Sequence, residues 1–451
     1  MTKGIVSDSD LARYSGILQE NAAISPAHYD NYKVKRGLRN SDGTGVLAGL
    51  TTIGNVHGYI LSEDEKVADE GRLRYRGINI KYIVEACQRE QRFGYEEVCY
   101  LILLGKLPNA AELAEFKELL AKLRHMPYDF REDIIMRCPS PDVMNKLARA
   151  VLSMYSYDDD PDNTSMENMI RQSLLLIARV PTMVAYAYQS KQHFFDRKSL
   201  HIHLPQDELG TAENFLHMIR PDGQFSQLEA ETLDLALMLH AEHGGGNNSA
   251  FTTRVVSSTG SDTYSAIAAA IGSLKGPRHG GANQKVMGMV DDFKAHIEDI
   301  TSADQVADYI EKTLRKQTYD GSGLIYGMGH AIYTKSDPRA VMLRAKAEEL
   351  ARSTGNEEEF GLYKMIEDLT PEIFARVRGS KVMCANVDLY SGFVYKMLGI
   401  PAELYTPMFA IARMVGWCAH RIEEVQYGGR IIRPAYKCVK PRQDYVPMDE
   451  R

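Results

Sequence analysis

Long stretches poor in glycine, with apolar residues returning every three or four positions, occupy most of this 451-residue chain. That period belongs to helices packed on a core and not to strands. The clearest stretch follows Pro108: Asn109 is able to cap, Glu112 stands three residues later, and Leu113, Phe116, Leu120 and Leu123 fall at helical spacing. Similar runs cover about 141–156, 165–190, 226–241, 262–274, 284–298, 303–316, 338–352, 371–378, 389–398 and 407–425. Only Gly45 to Leu61, rich in Gly, Val, Thr and Ile, has the composition of hairpin strands. The chain is therefore expected to be all-α. Its length fits two or three average domains, or one large helical core with a smaller domain attached.

The helical pattern breaks at three short segments, each holding an ionisable side chain among glycines and small polar residues. They are Gly276-Pro277-Arg278-His279-Gly280-Gly281-Ala282-Asn283, Gly327-Met328-Gly329-His330, and Asn386-Val387-Asp388-Leu389-Tyr390-Ser391-Gly392. A histidine framed by glycines is presented by a loop, because glycine permits tight turns and close backbone approach to a ligand. Two presented imidazoles and a carboxylate form a set suited to acid-base chemistry. The first and third breaks also fit hinges. The expected organisation is a large helical domain of residues 1–283 and 391–451, its first 44 or so peripheral, with a small domain, 284–390, inserted to close over a cleft.

Composition excludes several classes. At 44% hydrophobic and 25% charged residues the chain can bury a substantial core, and a net charge of −7 argues against a general nucleic-acid binder. A local basic patch at Arg430, Arg433, Lys437, Lys440 and Arg442 remains available for a small anion. The six cysteines (Cys87, Cys99, Cys138, Cys384, Cys418 and Cys438) show no C-x-x-C pair or framework spacing, so reduced thiols and a cytoplasmic location are expected. The start lacks signal or transit character, and no run reaches the roughly 20 apolar residues of a membrane span. Gly321-Ser322-Gly323 puts Tyr326 where a dinucleotide fingerprint needs its third glycine, and Gly105-Lys106 is not a Walker A. His240 and His243, in His-Ala-Glu-His-Gly-Gly-Gly-Asn247, are close enough on a helix to share a metal but lack the zinc-peptidase pattern. A helix end whose histidine and amides meet an anion explains His243 at least as well.

Each of the three groups also has an ordinary reading. His279 and His330 could be hydrogen-bonded or surface histidines, and Asp388 a helix N-cap. The combination weighs against coincidence. Arg339 follows in Asp337-Pro338-Arg339, and Arg413 lies inside an apolar helical run, where a guanidinium is costly unless it meets a carboxylate. A structural ion pair is the alternative for Arg413.

At these residues the chain resembles the citrate synthase family. His-Ala-Glu-His-Gly-Gly-Gly-Asn, Gly-Pro-Arg-His-Gly-Gly-Ala-Asn, Gly-Met-Gly-His before Asp-Pro-Arg, Asn-Val-Asp-Leu-Tyr-Ser-Gly, and Ala-Arg-Met-Val-Gly-Trp-Cys-Ala-His stand in the family's order. Upstream, Asp69 to Gly77 and Phe93 to Pro108 are similar to its N-terminal part, so roughly residues 45–440 are covered. The resemblance implies an all-helical homodimer whose small domain closes over oxaloacetate and completes an acetyl-CoA site, with neither metal nor prosthetic group. It implies Asp388 as base on the acetyl methyl, His279 as donor to the thioester oxygen, and His330 as polariser of the oxaloacetate keto group. It further implies that His243, Arg339, Arg413 and the partner-reaching Arg433 hold the carboxylates. Where many members carry a basic CoA-phosphate contact just after the His330 position, Lys335 is the candidate here. The first 44 residues do not resemble the β-rich extension of hexameric members, which favours a dimer. A 2-methylcitrate synthase using propionyl-CoA, a non-catalytic binder of di- or tricarboxylates, and a metal hydrolase using His240 and His243 remain the alternatives.

Overall fold

The computed structural model describes residues 7–62, 65–379 and 382–451. It divides into two units: Leu50–Ile432, and the stretch ending at Gly49 together with Arg433–Arg451. In the terminal unit, Ser7 caps the helix Asp8–Ala22, which buries none of its residues. Lys440 Nζ donates to the carbonyl of Asn21 at 2.7 Å, tying the two ends of the chain together there.

Leu50–Ile432 is built from helices, with one small antiparallel sheet near its start. The sheet has strands β1 (Gly54–Ser62), β2 (Glu65–Tyr75) and β3 (Ile78–Asn79), in that order. The expected strand region is thus corrected. Residues 45–53 form no strand, and the long partner strand Glu65–Tyr75 went unread because its charged residues and an interrupted ladder hide the period of two.

The helix Ala110–Leu123 starts as expected, with a full capping box between Asn109 and Glu112. The run expected from 371 is longer: one helix spans Glu357–Arg378 and passes through Pro371. A proline there removes one backbone donor, yet Phe360, Tyr363, Ile366 and Ile373 bury a continuous face that holds the helix on. Helices Asp8–Ala22, Ile80–Arg89, Tyr95–Leu104, Thr211–Ile219 and Asn248–Ser257 were not read from sequence. Tyr95–Leu104 explains one such omission, since burial of Tyr95 to Leu103 in succession leaves no polar face to mark a period.

At the centre lies the helix Tyr405–Glu423, buried along nearly its whole length and packed against Tyr95–Leu104, Met166–Phe194, Gln227–His240, Asn248–Ser257 and Thr263–Lys275. Later helices form a second group: Pro338–Thr354 and Ala282–His296 pack on Val387–Met397, and Ala303–Leu314 packs on Glu357–Arg378. All six cysteines are free. Among the described residues, no helix is long and apolar enough to cross a membrane.

Candidate active site

The His330 loop and the start of the Val387–Met397 helix are joined by backbone bonds. Gly329 N–H donates to the Cys384 carbonyl at 2.7 Å, Asn386 N–H to Gly327 O at 2.8 Å, and Asn386 Nδ2 to Gly329 O at 2.8 Å. Gly327 has φ +83°, and a Cβ there would stand 2.9 Å from the Cα of Leu389, so only glycine fits. Asn386 caps the helix by accepting from Asp388 N–H at 3.0 Å. Asp388 is therefore not the cap: it sits in the first turn with its carboxylate left over for other work. Burial pushes that carboxyl up to about 6, against the pull of Arg339, and Asp337 adds to the rise.

His330 Nδ1 accepts from the N–H groups of Ile332 and Tyr333, both at 3.1 Å. A nitrogen that accepts carries no proton, so the hydrogen-bond network places the proton of the neutral ring on Nε2. The ring lies 5.3 Å from that of His243, nearly perpendicular to it, and 4.6 Å from that of Tyr333. His243 is held far below the ordinary histidine range by burial first, then by Arg339, His330, Arg413 and His240. It is neutral.

Two arginines converge on these rings with opposite degrees of satisfaction. Arg339 is buried in a fork with Asp337, Nε to Oδ1 at 3.0 Å and Nη2 to Oδ2 at 2.7 Å. Asp337 also caps the Pro338–Thr354 helix, with proline at its first position. Arg413 is fully buried; its Nε donates to the His240 carbonyl at 2.7 Å, while Nη1 and Nη2 have no partner. Burial lowers its pKa to about 10, and Glu242 counters part of that. His243 Nε2 and Tyr333 Oη are likewise buried and unpaired. Unpaired buried donors are expensive, so their gathering marks a place built for a polar ligand.

His279 approaches from a third loop. A Cβ on Gly280 would stand 2.3 Å from the Leu274 carbonyl oxygen, which dictates glycine after the histidine. His279 Nε2 is 3.0 Å from Ser249 Oγ, and the same oxygen accepts from Trp417 Nε1 at 3.0 Å. Having accepted from the indole, the serine has one proton to give, either to His279 or to Asn247 Oδ1 at 2.9 Å. Burial, aided by Arg413, pulls His279 down to about 4, so it too is neutral near pH 7. A cleft of about 460 Å³ lined by Asn248, Ser273, Gly276, Pro277, Arg278 and His279 opens beside it.

One face of the Tyr405–Glu423 helix serves all of this. Arg413 brings its unpaired Nη groups near His243, Trp417 reaches Ser249, and His420 Nε2 lies 2.9 Å from Glu242 Oε1. His420 Nδ1 accepts from Arg254 Nη2 at 2.7 Å, and Arg254 is in turn paired with Glu423 and Glu424, each at 2.9 Å. Glu242 also accepts from Gly244 N–H at 2.5 Å, fixing the turn that follows His243.

The structure thus gathers His243, His330, Arg339, Arg413 and Asp388, with His279 beside Arg413 and Phe409. Lys335 is exposed on the same loop as His330. Arg433 is exposed and belongs to the terminal unit. Sequence reasoning missed Tyr333, Glu242, Ser249 and Trp417. Asp337 and Glu242 lay inside quoted motifs, but nothing in the local sequence marks Ser249 as a partner of His279. His240 donates Nδ1–H to the Ala236 carbonyl at 2.8 Å, with burial lowering its pKa to about 3. Among the described residues, no three His, Cys, Asp or Glu side chains are grouped as metal ligands.

Residues 42–435 match the family description "Citrate synthase, C-terminal domain". The chain is 35% identical over 431 residues to the citrate synthase of a Synechocystis species, covering 94% of this chain and 95% of that one. It is 34% identical over 381 residues to the 2-methylcitrate synthase of Shewanella oneidensis, covering 84% and 92%. Among solved structures, the ternary complex of carboxymethyl coenzyme A and oxaloacetate with the citrate synthase of Thermoplasma acidophilum matches with a TM-score of 0.75 and 28% identity, covering 93% of this chain and 99% of that one.

Proposed function

The chain belongs to the citrate synthase family, and we propose that it condenses acetyl-CoA with oxaloacetate to citrate, with Asp388, His279 and His330 dividing the chemistry between them. Asp388, a carboxylate poised by burial near pH 6, takes a proton from the acetyl methyl. With Ser249 Oγ–H turned from Asn247 to donate a hydrogen bond to His279 Nε2, the ring proton stands on Nδ1, and Nδ1–H meets the thioester oxygen as enolate charge builds on it. The enolate carbon attacks the keto carbon of oxaloacetate, and His330 Nε2–H receives the charge that moves onto the keto oxygen. Water then cleaves the citryl thioester and releases CoA as the free thiol.

The observation that carries this reading is Arg413, whose Nη1 and Nη2 are buried without a partner beside a second guanidinium, Arg339. The free Nη pair of Arg413 matches one substrate carboxylate in forked geometry, and Arg339, whose Nε and Nη2 are held by Asp337, adds positive charge beside it for a second. His243 joins them through its unpaired Nε2. We assign the remaining anion contacts to Arg433 of a second subunit and, on the CoA side, to Lys335. The exposed Leu11, Tyr14, Ile17 and Leu18 of the Asp8–Ala22 helix support a homodimer, since a helix with such a face is stable when another surface covers it. Dissociation to a fully active monomer would exclude the Arg433 role.

Packing of the helices between 282 and 397 mainly on one another supports residues 284–390 as the closing small domain, and the six free cysteines support a cytoplasmic enzyme. A bound cofactor has no step to perform in this scheme. Similarity to a 2-methylcitrate synthase favours a second reading, propionyl-CoA as donor, because one methylene is worth only about 1–3 kcal/mol in an apolar pocket. A non-catalytic carboxylate binder has no use for Asp388. Thiol release with oxaloacetate and either acetyl-CoA or propionyl-CoA, with and without chelator, tests all of these. Turnover with acetyl-CoA, preferred and indifferent to chelator, is expected; absence of thiol release with both donors would overturn the assignment.

A further inference from the structure

The β1–β2 ladder runs in register from Gly54↔Tyr75 to His57↔Arg72, and again from Tyr59↔Ala68 to Ser62↔Glu65. Gly58 on β1 therefore stands against Asp69, Glu70 and Gly71 on β2, outside the ladder. Bulges of this kind release backbone groups and are common next to active sites. Here the released groups are taken up by the loop that follows His330. Thr334 Oγ1 donates to the Gly58 carbonyl and accepts from Asp69 N–H at 3.2 Å. Ser336 Oγ accepts from Gly71 N–H at 3.1 Å and donates to the Glu70 carboxylate.

The glycines give the contact its shape. A Cβ on Gly58 would lie 2.6 Å from both Ile332 O and Tyr333 Cα, and one on Gly71 would lie 2.0 Å from Ser336 O. Neither glycine has a positive φ, so their backbones would accept a side chain; what forbids it is the loop lying across them. The same peptides of Ile332 and Tyr333 donate to His330 Nδ1. Where the loop lies on the hairpin therefore decides which nitrogen of His330 carries the proton.

We propose that the β1–β2 bulge is a seat that holds the 330–336 loop in the one arrangement presenting His330 Nε2–H to the substrate, with Thr334 and Gly71 as its positioning residues. The stretch after the histidine spends the hydroxyls of Thr334 and Ser336 on the hairpin. The proposal rests on His330 as keto polariser, but its geometry stands apart from that role.

The test pairs turnover with the ring itself. In the full-length protein labelled with ¹⁵N-histidine, the His330 ring signals, assigned by their loss in His330→Gln, should report the Nε2–H form. Gly71→Ala should lower kcat about a hundredfold, the scale of a misplacement near 1 Å. Thr334→Val should lower it about tenfold, with Thr334→Ser within about twofold of the parent. In both impaired variants the KM for acetyl-CoA should hold while the ring signals shift toward a mixture of tautomers. If Gly71→Ala does not fold, the valine and serine pair decides. Unchanged ring nitrogens in Thr334→Val, with or without a loss of kcat, would overturn the seat. A shifted tautomer in a protein whose parent releases no thiol would instead overturn the functional reading and leave the seat standing.

Discussion

The loop carrying His330 is bonded to its surroundings at Gly327, Gly329, Thr334 and Ser336, and its arginine, Arg339, is forked onto Asp337. The loop carrying His279 rests on Ser249 and Thr406, and the arginine on its side of the pocket, Arg413, keeps both Nη groups bare. The backbone and the arginine of the first region are satisfied by their own chain, with Tyr333 Oη the exception, and the arginine of the second is not. In the proposed reaction, oxaloacetate would meet the preset wall and the cleft beside His279 would be left for acetyl-CoA.

The sharpest way to break this contrast is to remove the two arginines separately. Arg339→Leu should destabilise the protein by about 3–5 kcal/mol, because it strands the buried carboxylate of Asp337; an unchanged denaturation midpoint would put Asp337 outside the preset wall. Next come the imidazoles. His330→Ala and His279→Ala should each cost about a hundred to a thousandfold in kcat, or roughly 3–4 kcal/mol, with the circular dichroism unchanged. Near-parental thiol release from either removes that residue from the mechanism. Arg413→Leu should have the opposite sign from Arg339→Leu: the unliganded protein gains about 1–4 kcal/mol, since an unpaired buried guanidinium is replaced by an apolar side chain, while oxaloacetate binding by calorimetry disappears. Loss of stability would mean that Arg413 is already paired in solution.

The smallest expected effect is the dependence on pH. The folded-state pKa of Asp388, about 6, is raised above the ordinary 3.8, so between those values the folded protein holds a proton that the unfolded chain has released. Its contribution to stability is therefore lost as pH rises from about 4 to about 6. The base needs the opposite state, so kcat/KM should rise through pH 6 as stability falls. Asp388→Asn should abolish turnover and flatten this component of the stability profile; a profile identical to the parent's would show that Asp388 titrates normally.

Much of this could be read before any coordinates, for physical reasons that differ from place to place. The capping box at Asn109 is a local signal and lies where the residues predict it. The glycine-framed segments announced His279, His330 and Asp388 because loops that approach a ligand need glycine. The partner strand Glu65–Tyr75 stayed hidden because its face is charged and its ladder is bulged, and the Glu357–Arg378 helix because a proline suggests an end that tertiary packing overrides. Asn386, two residues before Asp388, could have been recognised as the better cap. Ser249, Trp417 and Tyr333 carry no such marker, since their roles exist only once distant segments meet.

The alignment of Arg413, Trp417 and His420 along the Tyr405–Glu423 helix limits how this protein can change in length. The three lie at intervals of four and three residues, one stripe on one cylinder, and they serve respectively the proposed carboxylate contact, the support of His279 and the turn after His243. Inserting a single residue between Arg413 and Trp417 would rotate one against the other by about 100° and shift it by about 1.5 Å, so three duties would fail in one step. Point substitutions can tune this helix, but its register is shared property.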